Sequence, residues 1–384
     1  MDKGWTLKDL LEVIGLFLKL GTISFGGPAA HISLIEQEVV HKRGWLDREH
    51  FLDMLAATNL VPGPNATEMA IYIGYLRAGW PGLFTAGIAF ILPAFLITLL
   101  LGWIYVRFGT LPEGQALFYG INPVVMAIIL VASYRLGRTA LKGKMQVLLG
   151  LLAFLLALLG VNEVLIFLVA GVFGILLYAP PRWLMSASLA LFLPGASLPL
   201  SVMKSWIWME SRLVQLALFF LKVGMLLFGS GMVLFAFIQS DVVDRYGWLT
   251  QGQLIDAIAV GQMTPGPVLS SATFIGYLIF GFPGAVVATI AVFLPSFIIV
   301  MILRSVLPRL RKSAVALAFL KGVNAAVVAL ILVVSLSVFQ AAIVDIWTIL
   351  ILAAGLVALL RFKVDAFWLV LAGAAVGFIH YLWL

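Results

Sequence analysis

Long apolar runs separated by short polar segments dominate this chain from one end to the other. An α-helix needs about 20 apolar residues to cross a bilayer. In the first half, the runs predict spans near residues 13–36, 82–106, 116–135, 145–160 and 161–179. In the second half, they predict spans near residues 213–238, 284–303, 314–337, 346–360 and 365–383. The pattern predicts an all-α polytopic membrane protein with about five spanning helices in each half.

Each half also holds an amphipathic stretch, a Pro-Gly-Pro break and then an apolar stretch. These pieces are residues 48–60 and 64–76 in the first half, and 251–263 and 267–280 in the second. Each piece is short for a full span. We therefore expect each pair to form a re-entrant helical hairpin, which leaves the membrane on the side that it entered.

The second half of the chain repeats the first at a nearly constant offset. Pro62-Gly63-Pro64 recurs as Pro265-Gly266-Pro267, and Gly44 recurs as Gly247, in both cases 203 positions later. A register held over about a hundred positions indicates two fused copies. We predict a first repeat at residues 1–182, a linker at 183–207 and a second repeat at 208–384.

Five crossings in one copy is an odd number, so the second copy should lie inverted relative to the first. With loops assigned to alternating sides, lysine and arginine collect on one side, which should be cytoplasmic. Both termini are then predicted outside. Inverted repeats are typical of secondary transporters with alternating access around a central site. The alternative is that the duplication only built a larger helix bundle.

Composition supports the membrane assignment and excludes several other classes. The chain is 63% hydrophobic and 11% charged, and its mean hydropathy is +1.13. These values exclude an ordinary soluble enzyme, a disordered chain and a secreted disulfide scaffold. The absence of cysteine excludes thiolate metal sites, and the four histidines lack metal-ligand spacing. The net charge of +7 is better explained by basic cytoplasmic loops than by nucleic-acid binding.

The first span of each half is interrupted by small residues, at Phe25-Gly26-Gly27-Pro28 and at Phe228-Gly229-Ser230-Gly231. With the two Pro-Gly-Pro sequences, these breaks give four helix starts in matched positions. A helix start presents free N–H groups and a partial positive charge, which suit an oxyanion. We predict that the four starts converge near the midplane. Alternatively, each break is a kink that allows close helix packing.

Matched lysines precede the breaks, and matched acids lie in the hairpins. Lys19 and Lys222 are predicted to bind the anion, or else to extend toward the interface. Asp53 and Asp256 are expected to pair with them or carry protons, or else to be interfacial. Glu68 is a candidate for coupling to protons or an N-terminal helix charge. The predicted substrate-binding residues are Lys19, Phe25, Gly26, Gly27, Pro62, Gly63, Pro64, Asn65, Lys222, Gly229, Ser230, Pro265, Gly266, Pro267 and Ser270.

Several strings resemble the chromate transporter family, in its two-domain form. They are FGGPAAHISLIEQEVV, RGWLDREHFLDMLAATNLVPGPNATEMAIYIGY and GWPGLFTAGIAFILPAF in the first half, and LLFGSGMVLFAFIQSDVV and GQMTPGPVLSSATFIGY in the second. The resemblance covers nearly the whole chain. It implies efflux of chromate, with sulfate as a competing analogue, by two antiparallel halves. The second copy departs from the first by having Ser230-Gly231 where the first has Gly27-Pro28.

The most direct interpretation is a secondary transporter of the inner (cytoplasmic) membrane that exports an oxyanion, chromate above all, with no cofactor. The expected partners are a chromate- or sulfate-like dianion, the lipid bilayer and a second copy in a homodimer. The alternatives are a carrier that takes up sulfate or another anion, and an anion channel. A membrane-embedded enzyme is disfavoured, because the sequence lacks HExxH, helically spaced aspartate pairs and a Ser/His pair.

Overall fold

The computed structural model describes residues 5–109, 111–180, 211–228, 231–311 and 313–383. The predicted linker at 183–207 lies outside the described residues, as do Gly229 and Ser230. The described residues form helices and connecting turns without a strand, as the apolar pattern predicts.

The first copy contains seven helices. They are α1 (Leu7–Ile23), α2 (Pro28–Glu36, continued by a π-helical segment Gln37–Lys42), α3 (Arg48–Thr58), α4 (Asn65–Phe108), α5 (Pro112–Ala140), α6 (Lys144–Leu158) and α7 (Glu163–Tyr178).

The described residues of the second copy repeat this order. They form α8 (Arg212–Leu226), α9 (Val233–Phe237, continued by Ile238–Arg245), α10 (Gln251–Met263), a 3-10 turn (Val268–Ser270), α11 (Ser271–Arg311), α12 (Ala314–Ala342), α13 (Ile346–Val357, continued by Ala358–Phe362) and α14 (Ala366–Trp383).

Helix starts are capped at matched positions in the two copies. Asp47 accepts a backbone hydrogen bond at the start of α3, and Thr250 does so at the start of α10. Asn162 accepts one from Val164 before α7, and Asp365 accepts one from Phe367 before α14. Each cap satisfies a donor that the first helical turn leaves free. The duplicated sequence therefore specifies the same helix boundaries twice.

The long helices α4 and α11 each fold back on themselves near their N-terminal third. Gly79 has φ 61° and ψ −149°, and Gly281 has φ 60° and ψ −148°. Only glycine adopts this conformation readily. Each long helix is thus a short arm and a long arm joined by a sharp bend, which agrees with the predicted division at residues 64–76 and 82–106.

The predicted first span, residues 13–36, is a helical hairpin instead. The chain bends at Ser24–Gly27, where Gly26 and Gly27 have positive φ and Pro28 has no N–H to donate. Arg77 contacts Asp9 at the start of α1 at 2.6 Å, and its guanidinium also lies over the ring of Trp45, which follows α2. The chain therefore leaves this break toward the end from which it came. The count of five spanning helices plus one hairpin is corrected accordingly, because this copy has two hairpins.

The same contact corrects the predicted position of the N-terminus. The prediction placed the start of the chain and the loop of Arg77 on opposite sides, but Asp9 and Arg77 are paired. At the other end of the molecule, His380 of α14 stacks on Tyr119, near the start of α5. That end follows the long arm of α4 and is opposite the start of α1. The described termini therefore lie at opposite ends of the helix bundle.

The two copies pack against each other through their long helices. Phe84 of α4 stacks on Phe297 in the long arm of α11, and Gly102 of α4 lies against Tyr277 in the short arm of α11. Further out, α12 packs on α6 and α7, and α13 and α14 pack on α5. The copies are intertwined, and their outer helices cover each other's cores.

The helix lengths and surfaces are those of an integral membrane protein. Among the described residues, five helical stretches are long and apolar enough to cross a membrane. They are Asn65–Phe108, Pro112–Ala140, Val268–Ile302, Ala314–Ala342 and Ala366–Trp383. Many large apolar side chains on these helices face outward, which suits a lipid surrounding.

Candidate functional site

The two Pro-Gly-Pro tips are hydrogen-bonded across the two copies, each to the segment that leads into the other copy's glycine-containing break. The Gly63 N–H donates to the Leu227 carbonyl at 2.8 Å, and the Gly266 N–H donates to the Ser24 carbonyl at 2.8 Å. Both partners are related by the offset of 203 positions. Each Pro-Gly-Pro tip is therefore held by the glycine-containing break of the other copy. These two hydrogen bonds join each tip to the residue that precedes the glycine-containing break of the other copy.

A large cavity of about 640 Å³ lies beside these breaks. It is lined by Ser24, Gly26, Gly27, Pro28, His31, Ile128, Val131, Ala132, Arg135, Gly231, Met232, Gly261, Gln262, Thr264, Gly266, Val268, Leu359, Lys363, Val364, Asp365 and Ala366. Backbone from both copies therefore forms its wall. Arg135 and Lys363 supply two positive charges and Asp365 one negative charge, so the charged lining is cationic on balance.

A second, small cavity of about 50 Å³ adjoins the first and lies between the two Pro-Gly-Pro tips. Its lining includes Gly63, Pro64 and Asn65 from one copy and Pro267 and Val268 from the other. Helix α4 begins at Asn65, and the N–H groups of Thr67 and Glu68 donate to the Pro64 carbonyl. The N–H groups of Asn65 and Ala66 precede the first carbonyl that the helix supplies as an acceptor. The helix start places partial positive charge at this cavity. The arrangement suits a small anion.

Most predicted site residues fall at these cavities or their rims. Those that line a cavity are Gly26, Gly27, Gly63, Pro64, Asn65, Gly266 and Pro267. Pro62 and Pro265 belong to the same tips. The ring of Phe25 contacts the ring of Phe367 in the first turn of α14. The hydroxyl of Ser270 is buried without a hydrogen-bond partner among the described residues.

Lys19 and Lys222 lie outside the lining of both cavities, and each forms an ion pair with an acid of its own copy. Lys19 Nζ donates to Glu38 Oε1 at 2.8 Å, and Lys222 Nζ donates to Asp241 Oδ2. These two ion pairs are matched across the copies, and neither lysine lines either cavity. The hydrogen bond from Lys19, followed by that from Lys42, lowers the pKa of Glu38 to about 2. The structure therefore assigns both lysines to ion pairs.

The three candidate coupling acids have three different surroundings. Asp53 is half-buried on α3. Asp256 is buried on α10 and accepts a 2.6 Å hydrogen bond from the hydroxyl of Tyr105, which comes from the other copy. Glu68 is fully buried in the first turns of α4, and neither carboxylate oxygen has a hydrogen-bond partner among the described residues.

The structure also brings in residues that the sequence reasoning did not single out. His31 lines both cavities, and Arg135, Lys363 and Asp365 line the larger one. His31 follows the break by one helical turn, a spacing visible in the sequence. Arg135 lies on α5, and Lys363 lies in the turn before α14. The sequence does not reveal that these two positions border one cavity, because they are far apart along the chain.

Comparison with known proteins gives a consistent assignment. A family model described as "Chromate transporter" matches the chain twice, at residues 11–175 and 214–378. The chain is 37% identical over 380 residues to the "Chromate transport protein" of Cupriavidus metallidurans, which covers 97% of this chain and 93% of that protein. It is 36% identical over 326 residues to the "Probable chromate transport protein" of Synechococcus elongatus, covering 84% and 82%. No solved structure gives a significant match.

Proposed function

This chain belongs to the chromate transporter family, and we propose that it is a secondary transporter that exports chromate across the cytoplasmic membrane. The resemblance seen in the sequence is thereby confirmed, as is the expectation of a transporter rather than an enzyme. Relatives that cover most of this chain are named chromate transport proteins. Export direction, alternating access and the anion site are the parts that we propose here.

The observation that carries the proposal is the convergence of four helix breaks on one pair of cavities. A break exposes backbone groups at membrane depth, and such groups are tolerated only against protein or a water-filled space. Here they are joined by the Gly63–Leu227 and Gly266–Ser24 hydrogen bonds and border the cavities. Broken helices at the interface of two repeats are how several transporter folds bind charged substrates.

The electrostatics of the cavities favour a tetrahedral dianion. The N–H groups at the start of α4 point their partial positive charge at the small cavity. Arg135 and Lys363 add full charges at the larger cavity, which we propose is the entrance. Chromate enters past these two cations and is held by backbone N–H groups at the tips, beside His31.

We propose that the two copies, residues 1–182 and 208–384, are inverted repeats that alternate around this site. The basic end of the bundle, which carries Arg135 and Lys363, is proposed to face the cytoplasm. The larger cavity then opens inward. At the opposite end, the hydrogen bond between Tyr105 and Asp256 joins α4 to α10 and keeps that side closed.

Export of a dianion needs no nucleotide on energetic grounds. The membrane potential contributes about 2.3 kcal/mol per charge per 100 mV. For two charges leaving a cell that is negative inside, the gain is about 4–5 kcal/mol at that potential. The potential alone therefore drives substantial export.

Chromate flux into everted membrane vesicles tests the proposal directly. We expect saturable accumulation that depends on the membrane potential and is inhibited by sulfate. Arg135→Gln should raise the KM several-fold, because it removes a charge from the proposed entrance. Arg138→Gln is the matched control, since Arg138 lies on the same helix but lies outside the cavity lining. Absence of chromate accumulation in vesicles that contain folded protein would refute export of chromate.

Cysteine scanning tests the proposed orientation, because the chain has no cysteine of its own. A single cysteine at Arg138 should be shielded from an impermeant reagent added outside intact cells, whereas one at Asp345 should react. The opposite labelling pattern would reverse the orientation and make the large cavity open outward.

A further inference from the structure

Glu68 occupies a position that the proposed anion site does not account for. Its side chain is fully buried, and both carboxylate oxygens lack a hydrogen-bond partner among the described residues. An ionised carboxylate there would be a buried charge without compensation, which is costly.

The carboxyl group of Glu68 and a hydroxyl from the other copy flank the same hairpin tip. A Cβ placed on Gly63 would meet Glu68 Oε1 at 2.1 Å and Ser296 Oγ at 3.4 Å. The Ser296 hydroxyl is also buried without a hydrogen-bond partner in the described part of the chain. Both groups therefore lie against Gly63, whose neighbours form the wall of the small cavity.

This polar pair is present at one of the two matched tips. At the positions that match Glu68 and Ser296, the other copy has Ser271 and Ala94. Ser271 donates to the Val268 carbonyl within its own turn, so a hydroxyl group occupies the position that matches the acid. Because duplication produced both tips, the acid is not required to build a tip, and a role in ligand binding is the more direct explanation.

The helices around Glu68 carry other titratable groups, including Asp9 and Glu12 on α1, Glu36 on α2, and Glu49 and His50 on α3. On α2, His31 lines the same small cavity. Asp53 lies half-buried on α3, and Lys19 on α1 is paired with Glu38. The described side chains of α11 include no charged residue. His31 is therefore the group from which an effect of Glu68 must be distinguished.

We propose that Glu68 is a proton-binding site linked to anion binding, so that the carboxylate takes up one proton when the dianion occupies the tips. An ionised Glu68 and a bound dianion would repel each other and compete for the same helix start. In the step, the carboxylate oxygen forms an O–H bond with a proton delivered through water. The same O–H bond breaks when the anion leaves and water reaches the carboxyl group.

This inference rests on the proposed function and adds one proton to it. A proton that leaves with the dianion reduces the net charge moved to one, which halves the gain from the membrane potential. Linkage is reciprocal, so a proton that binds with the anion also makes anion affinity depend on pH. Affinity should fall as pH rises through the ionisation of Glu68, by at most about tenfold per pH unit for one proton. Sulfate is the cleaner probe, because it stays a dianion where chromate itself takes up protons.

The experiment measures the Kd of the purified full-length protein for sulfate and for chromate between about pH 5.5 and about pH 8.5. Wild type should lose sulfate affinity as pH rises. Glu68→Gln, which imitates the protonated acid, should show no such slope. His31→Gln should keep the slope, whatever its effect on affinity. A Glu68→Gln protein with the wild-type slope, or a His31→Gln protein without one, would overturn the assignment to Glu68.

Proton uptake by wild type provides a test that does not depend on a variant's folding. In weakly buffered solution, adding sulfate should take up protons in proportion to the anion bound. Binding with no proton uptake across the range would refute the inference and leave the transporter proposal standing. Failure of wild type to bind either anion at any pH would instead refute the proposed function, and the inference with it.

Discussion

Close backbone contact between the two arms of α4 makes a specific prediction about Gly74. A Cβ placed on Gly74 would lie 2.3 Å from the carbonyl oxygen of Gly82 and 2.4 Å from Ala86 Cβ. The second copy repeats the contact, because a Cβ on Gly276 would lie 2.3 Å from the carbonyl oxygen of Gly284. The arms therefore touch through their backbones and have no room for a methyl group.

Gly74→Ala should destabilise the protein by about 3 kcal/mol or more. To reach ordinary van der Waals separation from the Gly82 oxygen, the arms must open by about 1 Å, and a backbone carbonyl cannot turn aside as a side chain tip would. The matched control is Gly15→Ala on the exposed face of α1, where a Cβ would meet nothing within 4 Å. That change should be neutral or stabilising by up to about 1 kcal/mol.

Unfolding in mixed detergent micelles, followed by circular dichroism while the denaturing detergent fraction rises, measures both variants against wild type. The expected order of stability is Gly15→Ala at or above wild type and Gly74→Ala well below it. Because the short arm of α4 carries the tip at Gly63, the anion affinity of Gly74→Ala should fall as well. Equal stability of the two variants would show that the arms are not in backbone contact and would refute this account of the hairpin.

Three further predictions concern the ion pairs and hydrogen bonds. Tyr105→Phe should cost about 1–3 kcal/mol in the same unfolding assay, since it removes the hydroxyl that donates to buried Asp256; an unchanged stability would contradict that bond. Lys19→Met should lower the free energy of unfolding by under about 1 kcal/mol, because Glu38 still pairs with Lys42. The KM for chromate should be unchanged, and a large rise in KM would show that Lys19 belongs to the anion site. The pKa of Glu38 is lowered from 4.5 to about 2. Its contribution to the free energy of unfolding is therefore complete above pH 4.5 and is lost as the pH falls toward 2. Over that range, Glu38→Gln should lose less stability than wild type.

Much of the helix architecture follows from local sequence pattern. The break at residues 77–81 separates two apolar pieces, and the structure bends at Gly79. The matched caps Asp47 and Thr250 begin corresponding helices. Such features depend on residues within a few positions of each other, which is why they are visible without a fold.

The direction of the chain after a break could not be obtained in this way. The run at residues 13–36 is long and apolar enough for one span, and a glycine–proline break permits either a kink or a reversal. Arg77 pairs with Asp9 before the break and lies over the ring of Trp45 after it, so the chain reverses. These contacts join residues far apart in sequence. An error at this one break changed the predicted number of crossings and, with it, the position of the N-terminus.

The sequence by itself determined that this is a duplicated helical membrane protein with four matched breaks, because composition, periodicity and internal repeats are properties of the linear chain. Only the tertiary structure decided which charges stand at the centre. In the folded chain, Lys19 pairs with Glu38, and Arg135 and Lys363 line the larger cavity. Glu68 is buried without a hydrogen-bond partner among the described residues. The physical reason is that the role of a charge depends on its surroundings, and folding supplies those from residues distant in the sequence, in the same copy for Lys19 and Glu38 and in both copies for the lining of the cavity.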